Sequence, residues 1–161
     1  MKKTASMLAM AAILAGCAQP QTRDAFVQTI RGGQTLTYTE SYVAKRSLDD
    51  VTRSVEAKAG ECFSWELGGV RAQGSTMRVA EEYIASVQKV DRNRSELTVR
   101  RLMSSSAIKQ PAGGFYFLAV DMERVGTNST KLTYYGNSLS SGKANWAAVK
   151  QWSDGQMVAC P

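Results

Sequence analysis

"GGFYFLAVDMERV" at residues 113–125 and "KLTYYGNS" at residues 131–138, joined by the polar "GTNST", settle the architecture of this chain. Both runs are rich in Tyr, Phe, Val and Leu, and the break between them is made of turn formers, so the pair predicts a β-hairpin. Strict alternation puts Phe115, Phe117 and Ala119 on one face of the first strand and Tyr116, Leu118, Val120 and Met122 on the other. A strand that is apolar on both faces belongs at the centre of a sheet, buried on both sides. A second hairpin precedes it: "MRVAEEYIASVQKV" (77–90) and "ELTVRRLMS" (96–104) flank "DRNRS", with Val79, Tyr83, Ala85 and Val87 sharing one face. "SSSAIKQPAGG" joins the two hairpins.

Helical patterns frame the hairpins. In "SLDDVTRSVEAKAGEC" (47–62), Leu48, Val51, Val55, Ala59 and Cys62 recur at helical spacing and form one stripe. Ser47 starts the segment as a capping residue for the backbone at Asp50, and acidic residues follow at the positive end of the helix. The helix is expected to run to about Gly60. In "KANWAAVKQWSDGQMVAC" (143–160), Trp146, Val149, Ser153, Met157 and Cys160 repeat that spacing, which places each of the two cysteines at the end of an amphipathic helix. "QTLTYTESYVAKR" predicts a strand at about 35–45, "CFSWEL" a short strand, and "GGVRAQGST" a loop at Gly68–Thr76.

The expectation is an α+β domain over residues 35–161: a curved antiparallel sheet of about five strands, covered by one helix from the N-terminal half and one C-terminal helix. This element order resembles the helix-grip architecture, found in lipid-transfer domains and in the C component of the outer-membrane barrel-assembly machinery. The resemblance covers roughly residues 35–160 and rests on order, with no motif. It implies a site between the sheet and the C-terminal helix, for which Phe115, Phe117, Tyr134, Trp146, Val149 and Trp152 are the candidate ligand-groove residues.

The start of the chain, "MKKTASMLAMAAILAGC", has a basic beginning and an apolar run from about Ala5 to Leu14. That is the pattern of a secretory signal, and it falls short of the roughly 20 apolar residues a membrane span needs. Leu14-Ala15-Gly16-Cys17 resembles the lipobox of bacterial lipoproteins. The resemblance implies a signal peptide at residues 1–16, acylation of Cys17 on its thiol and new amine, and a lipid anchor and tether at 17–34. Ala18, in place of Asp, implies the outer membrane, with the domain in the periplasm. Within the tether, Phe26, Val27 and Ile30 are spaced for a short amphipathic turn that docks on the domain or on the bilayer surface, and the domain is favoured because three apolar residues bury too little area to matter beside the acyl chains. With Cys17 committed to lipid, Cys62 and Cys160 remain as a pair in an oxidising compartment, and a disulfide is expected.

The chain contains no His, which removes the commonest general base and metal ligand. "GNSLS" lacks the second Gly of a nucleophile elbow, and "GGVRAQG" lacks the Lys-Ser/Thr ending of a phosphate loop. Asp121 and Glu123 share a strand face and read as a solvated strand end opposite Arg100 or Arg124. No catalytic residue, metal ligand or cofactor is expected. The formal charge of +6 falls to +4 without Lys2 and Lys3, too little to argue for nucleic acid. Arg92, Arg94, Arg100 and Arg101 on the first hairpin form a candidate basic surface. The reading is therefore a non-enzymatic, membrane-anchored periplasmic lipoprotein. It acts as a protein-interaction module in an envelope or secretion assembly and binds its partner through the sheet edge or the Gly68–Thr76 loop. The alternative is a carrier of a lipid or other apolar ligand.

Overall fold

The computed structural model describes residues 20–33, 36–71, 78–104 and 110–161. The signal, Cys17 and most of the expected Gly68–Thr76 loop lie outside them. The elements run α1 (Arg23–Arg31), β1 (Thr37–Ala44), α2 (Leu48–Cys62), β2 (Trp65–Arg71), β3 (Arg78–Asp91), β4 (Arg94–Ser104), β5 (Phe115–Gly126), β6 (Ser129–Asn137) and α3 (Ser140–Ser153). All six strands pair antiparallel in the order β1-β6-β5-β4-β3-β2, an α+β architecture with a curved sheet. Both hairpins are present, with turns tighter than the five-residue breaks suggest. Only Arg92 and Asn93 separate β3 from β4, and only Thr127 and Asn128 separate β5 from β6.

Local chemistry explains each helix. The Ser47 hydroxyl accepts from the Asp50 amide at 3.3 Å and donates to Asp50 Oδ2 at 2.7 Å, so α2 starts where its cap stands. Its stripe of Leu48, Val51, Val55 and Ala59 is fully buried. Thr22 caps α1 through the Ala25 amide, with Asp24 in the first turn and Arg31 in the last. The C-terminal helix stops at Ser153, short of the expected end near Cys160. The Asp154 and Gly155 amides close back on the Lys150 and Trp152 carbonyls, and Gly155 takes a φ of +85° that ends the helix. Met157, placed on the stripe by spacing alone, is 64% exposed. Cys160 thus lies on a C-terminal tail, beyond any helix, while Cys62 is the last residue of α2. The two form a disulfide with their Cα atoms 5.2 Å apart.

Two layers of helix enclose the sheet. On the inner face, α2 lies over β3, β4 and β5, and α3 packs against α2, β6 and β1. At the start of α3, a Cβ on Gly142 would come within 2.1 Å of the Asn137 carbonyl, so the helix approaches the end of β6 closely only because glycine stands there. On the outer face, α1 sits over β5, β6 and β1. Its Phe26, Val27 and Ile30 pack on Ala119, Tyr135 and Tyr116. The segment read as tether therefore contains a helix docked on the domain, and each of its three buried apolar side chains contributes about 1.5–3 kcal/mol.

β5 departs from strict alternation. Its register with β4 shifts between Val99 and Arg100, which pair with Leu118 and Tyr116. The bulge sets Phe117 beside Leu118 on the inner face, while Tyr116 joins Ala119 on the outer face. The expected grouping of Phe115, Phe117 and Ala119 is corrected accordingly. β2 is also longer than "CFSWEL" implied. Gly68 and Gly69 lie inside it, where the pairing to β3 shifts between Leu67 and Val70.

The Cys62–Cys160 bridge closes a loop of 98 residues of sequence separation and ties the tail to the end of α2. Loop-closure entropy assigns such a bridge about 4–5 kcal/mol. A Cys62→Ala, Cys160→Ala double variant should lose several kcal/mol in a urea titration, with unchanged far-ultraviolet circular dichroism before the transition.

Candidate functional site

Of the six residues expected to line a ligand groove, Tyr134, Trp146, Val149 and Trp152 converge on the inner face, but as solid packing. Tyr134, Trp146, Val149 and Trp152 are 0–1% exposed. Trp146 lies 5.4 Å from the Tyr134 ring and Trp152 lies 5.1 Å from Phe63, ring centre to ring centre. Burial pushes the Tyr134 phenol far above its ordinary range. Neither its hydroxyl nor the Trp152 indole nitrogen finds a partner among the described residues, and both rings act as core filler. Truncating either tryptophan would open a cavity costing about 3–5 kcal/mol, so such variants report on folding before they report on binding. At the rim of α3, the Trp146 indole and then Lys150 hold the Glu40 carboxyl below its usual range, and Lys150 Nζ stands 3.2 Å from Glu40 Oε1.

Open space begins where that core ends. A cleft of about 370 Å³ lies between the first turn of α3, the end of α2 and the inner face of the β2 side of the sheet. Phe63, Val99, Phe117 and Leu118 form its floor, Trp65 and Tyr83 its wall, and Ser141, Asn145 and Pro161 its rim. Trp65 stacks on Tyr83 with centroids 4.4 Å apart and planes 14° apart, and Tyr83 meets Phe117 edge-on at 5.2 Å. Burial pushes the Tyr83 hydroxyl up, against the pull of nearby Arg101, and it donates to Glu81 at 3.2 Å. Phe117 is the one expected groove residue that reaches this cleft. Trp65 and Phe63 went unnoticed in the sequence, although their i, i+2 spacing beside a cysteine was a usable signal.

Trp65 is 44% and Leu67 39% exposed, and both stand on β2. Among the described residues no strand pairs with the far side of β2, which leaves an open edge directly beside the aromatic wall.

The outer face carries a different chemistry. Asp121, 6% exposed, is buried under α1 and accepts from Arg23 and Arg94. Arg23 Nε also lies 2.9 Å from Glu96, which pairs with Arg94 in turn. Asp121 was expected as a solvated strand end opposite Arg100 or Arg124; it is instead the centre of an interlocked four-charge cluster that fastens α1 to the sheet. Arg31 on the same helix donates to the Tyr135 hydroxyl at 2.5 Å, which raises the Arg31 pKa. The four arginines of the candidate basic surface separate. Arg92 is exposed in the turn, Arg94 is in the cluster, Arg100 packs its guanidinium over Gly113, and Arg101 faces Tyr83.

A second groove, of about 360 Å³, opens between α1 and the end of the outer face, bordered by Phe26, Ile30, Phe115 and Tyr116. Phe115 thus belongs to this groove, away from the α3 side. Glu61, Cys62 and Cys160 bring three potential metal donors together, but both sulfurs are spent in the disulfide. Among the described residues no helix is long and apolar enough to cross a membrane. Both clefts mix aromatic and aliphatic walls with polar groups, Ser141 and Asn145 in the first and Thr29, Arg101 and Asn137 in the second.

No protein-family model and no curated protein matches the chain. Among solved structures it is similar to DynU16, a protein of the dynemicin biosynthetic locus, at 15% identity and a TM-score of 0.39 over 76% of this chain and 47% of that one. The chain spans about half the length of that protein. It is also similar to Ara h 8.0201, at 8% identity and a TM-score of 0.36, covering 74% of this chain and 95% of that one. Likeness at this level carries no statement about ligands.

Removing one member of the outer-face cluster leaves buried charge without its partner. Asp121→Ala should destabilise the domain by about 3 kcal/mol in urea titration. Arg23→Met, which keeps an apolar stem in place of the charge, should cost less than Asp121→Ala.

Proposed function

We propose that this chain is a non-enzymatic periplasmic lipoprotein, anchored in the outer membrane through acylated Cys17. It acts as a protein-interaction module in an envelope or secretion assembly. The observation that carries the interaction role is the open β2 edge with half-exposed Trp65 and Leu67 beside the cleft at Tyr83 and Phe117. An extended segment of a partner adds a strand along such an edge through backbone hydrogen bonds and sets an apolar side chain into the adjoining pocket. The lipobox resemblance at Leu14-Ala15-Gly16-Cys17 supports the location, and the zero count of His together with the missing nucleophile and phosphate-loop motifs supports a non-enzymatic role.

The alternative, a carrier of a lipid or other apolar ligand, is favoured by one specific feature, the same cleft of about 370 Å³ between the sheet and α3. That volume is at the small end of the roughly 300–1,000 Å³ typical of ligand sites, and the filled core beneath it leaves no deeper chamber among the described residues. Surface docking therefore ranks first.

A photo-crosslinking residue in place of Leu67, in the full-length protein in cells, should trap one protein neighbour. Trp65→Ala should cut the yield of that adduct at least about tenfold, the loss of roughly 1.4 kcal/mol or more expected for an aromatic anchor. Absence of any adduct at position 67, with a lipid-sized mass retained by the purified domain in native mass spectrometry, would transfer the reading to the carrier.

A further inference from the structure

The groove on the outer face has an occupant close at hand. Its lining runs from Pro20 through Phe26, Ile30 and Leu36 to Phe115 and Tyr116, an apolar strip with Arg101 and Asn137 beside it. Pro20 is three residues after Cys17, and three residues of chain reach at most about 10–11 Å. The groove is therefore within reach of any hydrocarbon that Cys17 carries. Leu36 marks the same place from the other side: it is 60% exposed and holds a φ of +65°, a left-handed conformation uncommon for leucine.

We propose that one acyl chain of lipidated Cys17 lies in the groove between α1 and the outer face of the sheet. The inference rests on the lipoprotein reading above and adds the position of the lipid to it. A triacylated cysteine carries one chain more than the two hydrophobic signals that stable anchoring requires, so one chain can leave the bilayer while two hold the protein in it. The move takes one chain from the bilayer into an open groove, where it covers aromatic and aliphatic surface on the protein. It also fixes orientation. The acyl chain enters beside α1, which the Arg23, Glu96, Asp121 and Arg94 cluster locks to the sheet, so the outer face turns toward the membrane. The cleft at Trp65 and the β2 edge, on the inner face, are then presented to the periplasm.

The test uses the full-length protein produced with its signal in bacteria supplied with a diazirine-bearing palmitate analogue. Intact mass and peptide mapping first establish whether Cys17 carries the label. After irradiation, the proposal predicts acyl crosslinks to peptides containing Phe26 and Ile30 or Phe115 and Tyr116. Thr29→Trp, which fills the half-buried mouth of the groove, should lower their yield at least fivefold while Cys17 remains labelled. Labelled Cys17 whose crosslinks fall only on lipid or detergent overturns the groove assignment and leaves the lipoprotein reading intact, as does a yield that Thr29→Trp leaves unchanged. An unacylated Cys17 overturns both.

Discussion

β5 has to be buried on both of its faces, and the arrangement of the other elements follows from that constraint. Leu118, Val120 and Met122 on the inner face and Ala119 and Asp121 on the outer face are all nearly inaccessible to water. A sheet with helices on one side only would leave Ala119, Tyr135 and a carboxylate facing solvent or unpaired. α2 and α3 cover the inner face, and α1 covers the outer one at the point where the apolar residues and Asp121 occur. Burial of Asp121 is tolerated because two guanidinium groups reach it, one from α1 and one from β4, with Glu96 balancing the second positive charge. The cluster thus does two things at once: it neutralises a buried acid, and it fixes which way α1 lies on the sheet.

Much of this was legible in local pattern. The stripe Leu48, Val51, Val55 and Ala59, the Ser47 cap and the two hairpins are encoded within a few residues of one another, where periodicity and turn chemistry act. Both cysteines of the bridge were identifiable from their number and spacing. The two-faced character of "FYFLAVDM" even required cover on both sides, although nothing in the run named α1 as the cover. What escaped the sequence was set by tertiary register. The bulge at Phe117 depends on how β4 and β5 meet, and it exchanges the faces of Tyr116 and Phe117 relative to strict alternation. The stripe through Met157 and Cys160 continued by coincidence of spacing, while Gly155 at positive φ ended the helix. Gly68 and Gly69 carry the signature of a turn, and their place inside β2 follows from pairing with β3.

The candidate site shows the same division. Large aromatics suggested a groove, yet Trp146, Trp152 and Tyr134 are the filling of the core, and the accessible cleft is built from Phe63, Trp65 and Tyr83 around Phe117. Composition alone does not distinguish a ring that fills space from one that borders it; the distinction depends on how far α3 extends over the sheet. At 14 residues, α3 covers the β6 and β1 side and leaves the β2 side open. The opening is thus a consequence of one short helix, while the open edge beside it follows from the place of β2 at the end of the strand order.

Hydrogen exchange read by mass spectrometry, on the mature protein with its N-terminal segment intact, addresses the central claim most directly: α1 is an integral layer of the domain, locked to β5 by buried charge. The account predicts that the α1 amides from Val27 to Arg31 exchange with protection approaching that of β5 and β6, and that Asp121→Ala releases α1 before the rest of the sheet. Rapid exchange of α1 in the unmodified protein, with β5 and β6 still protected, would contradict it.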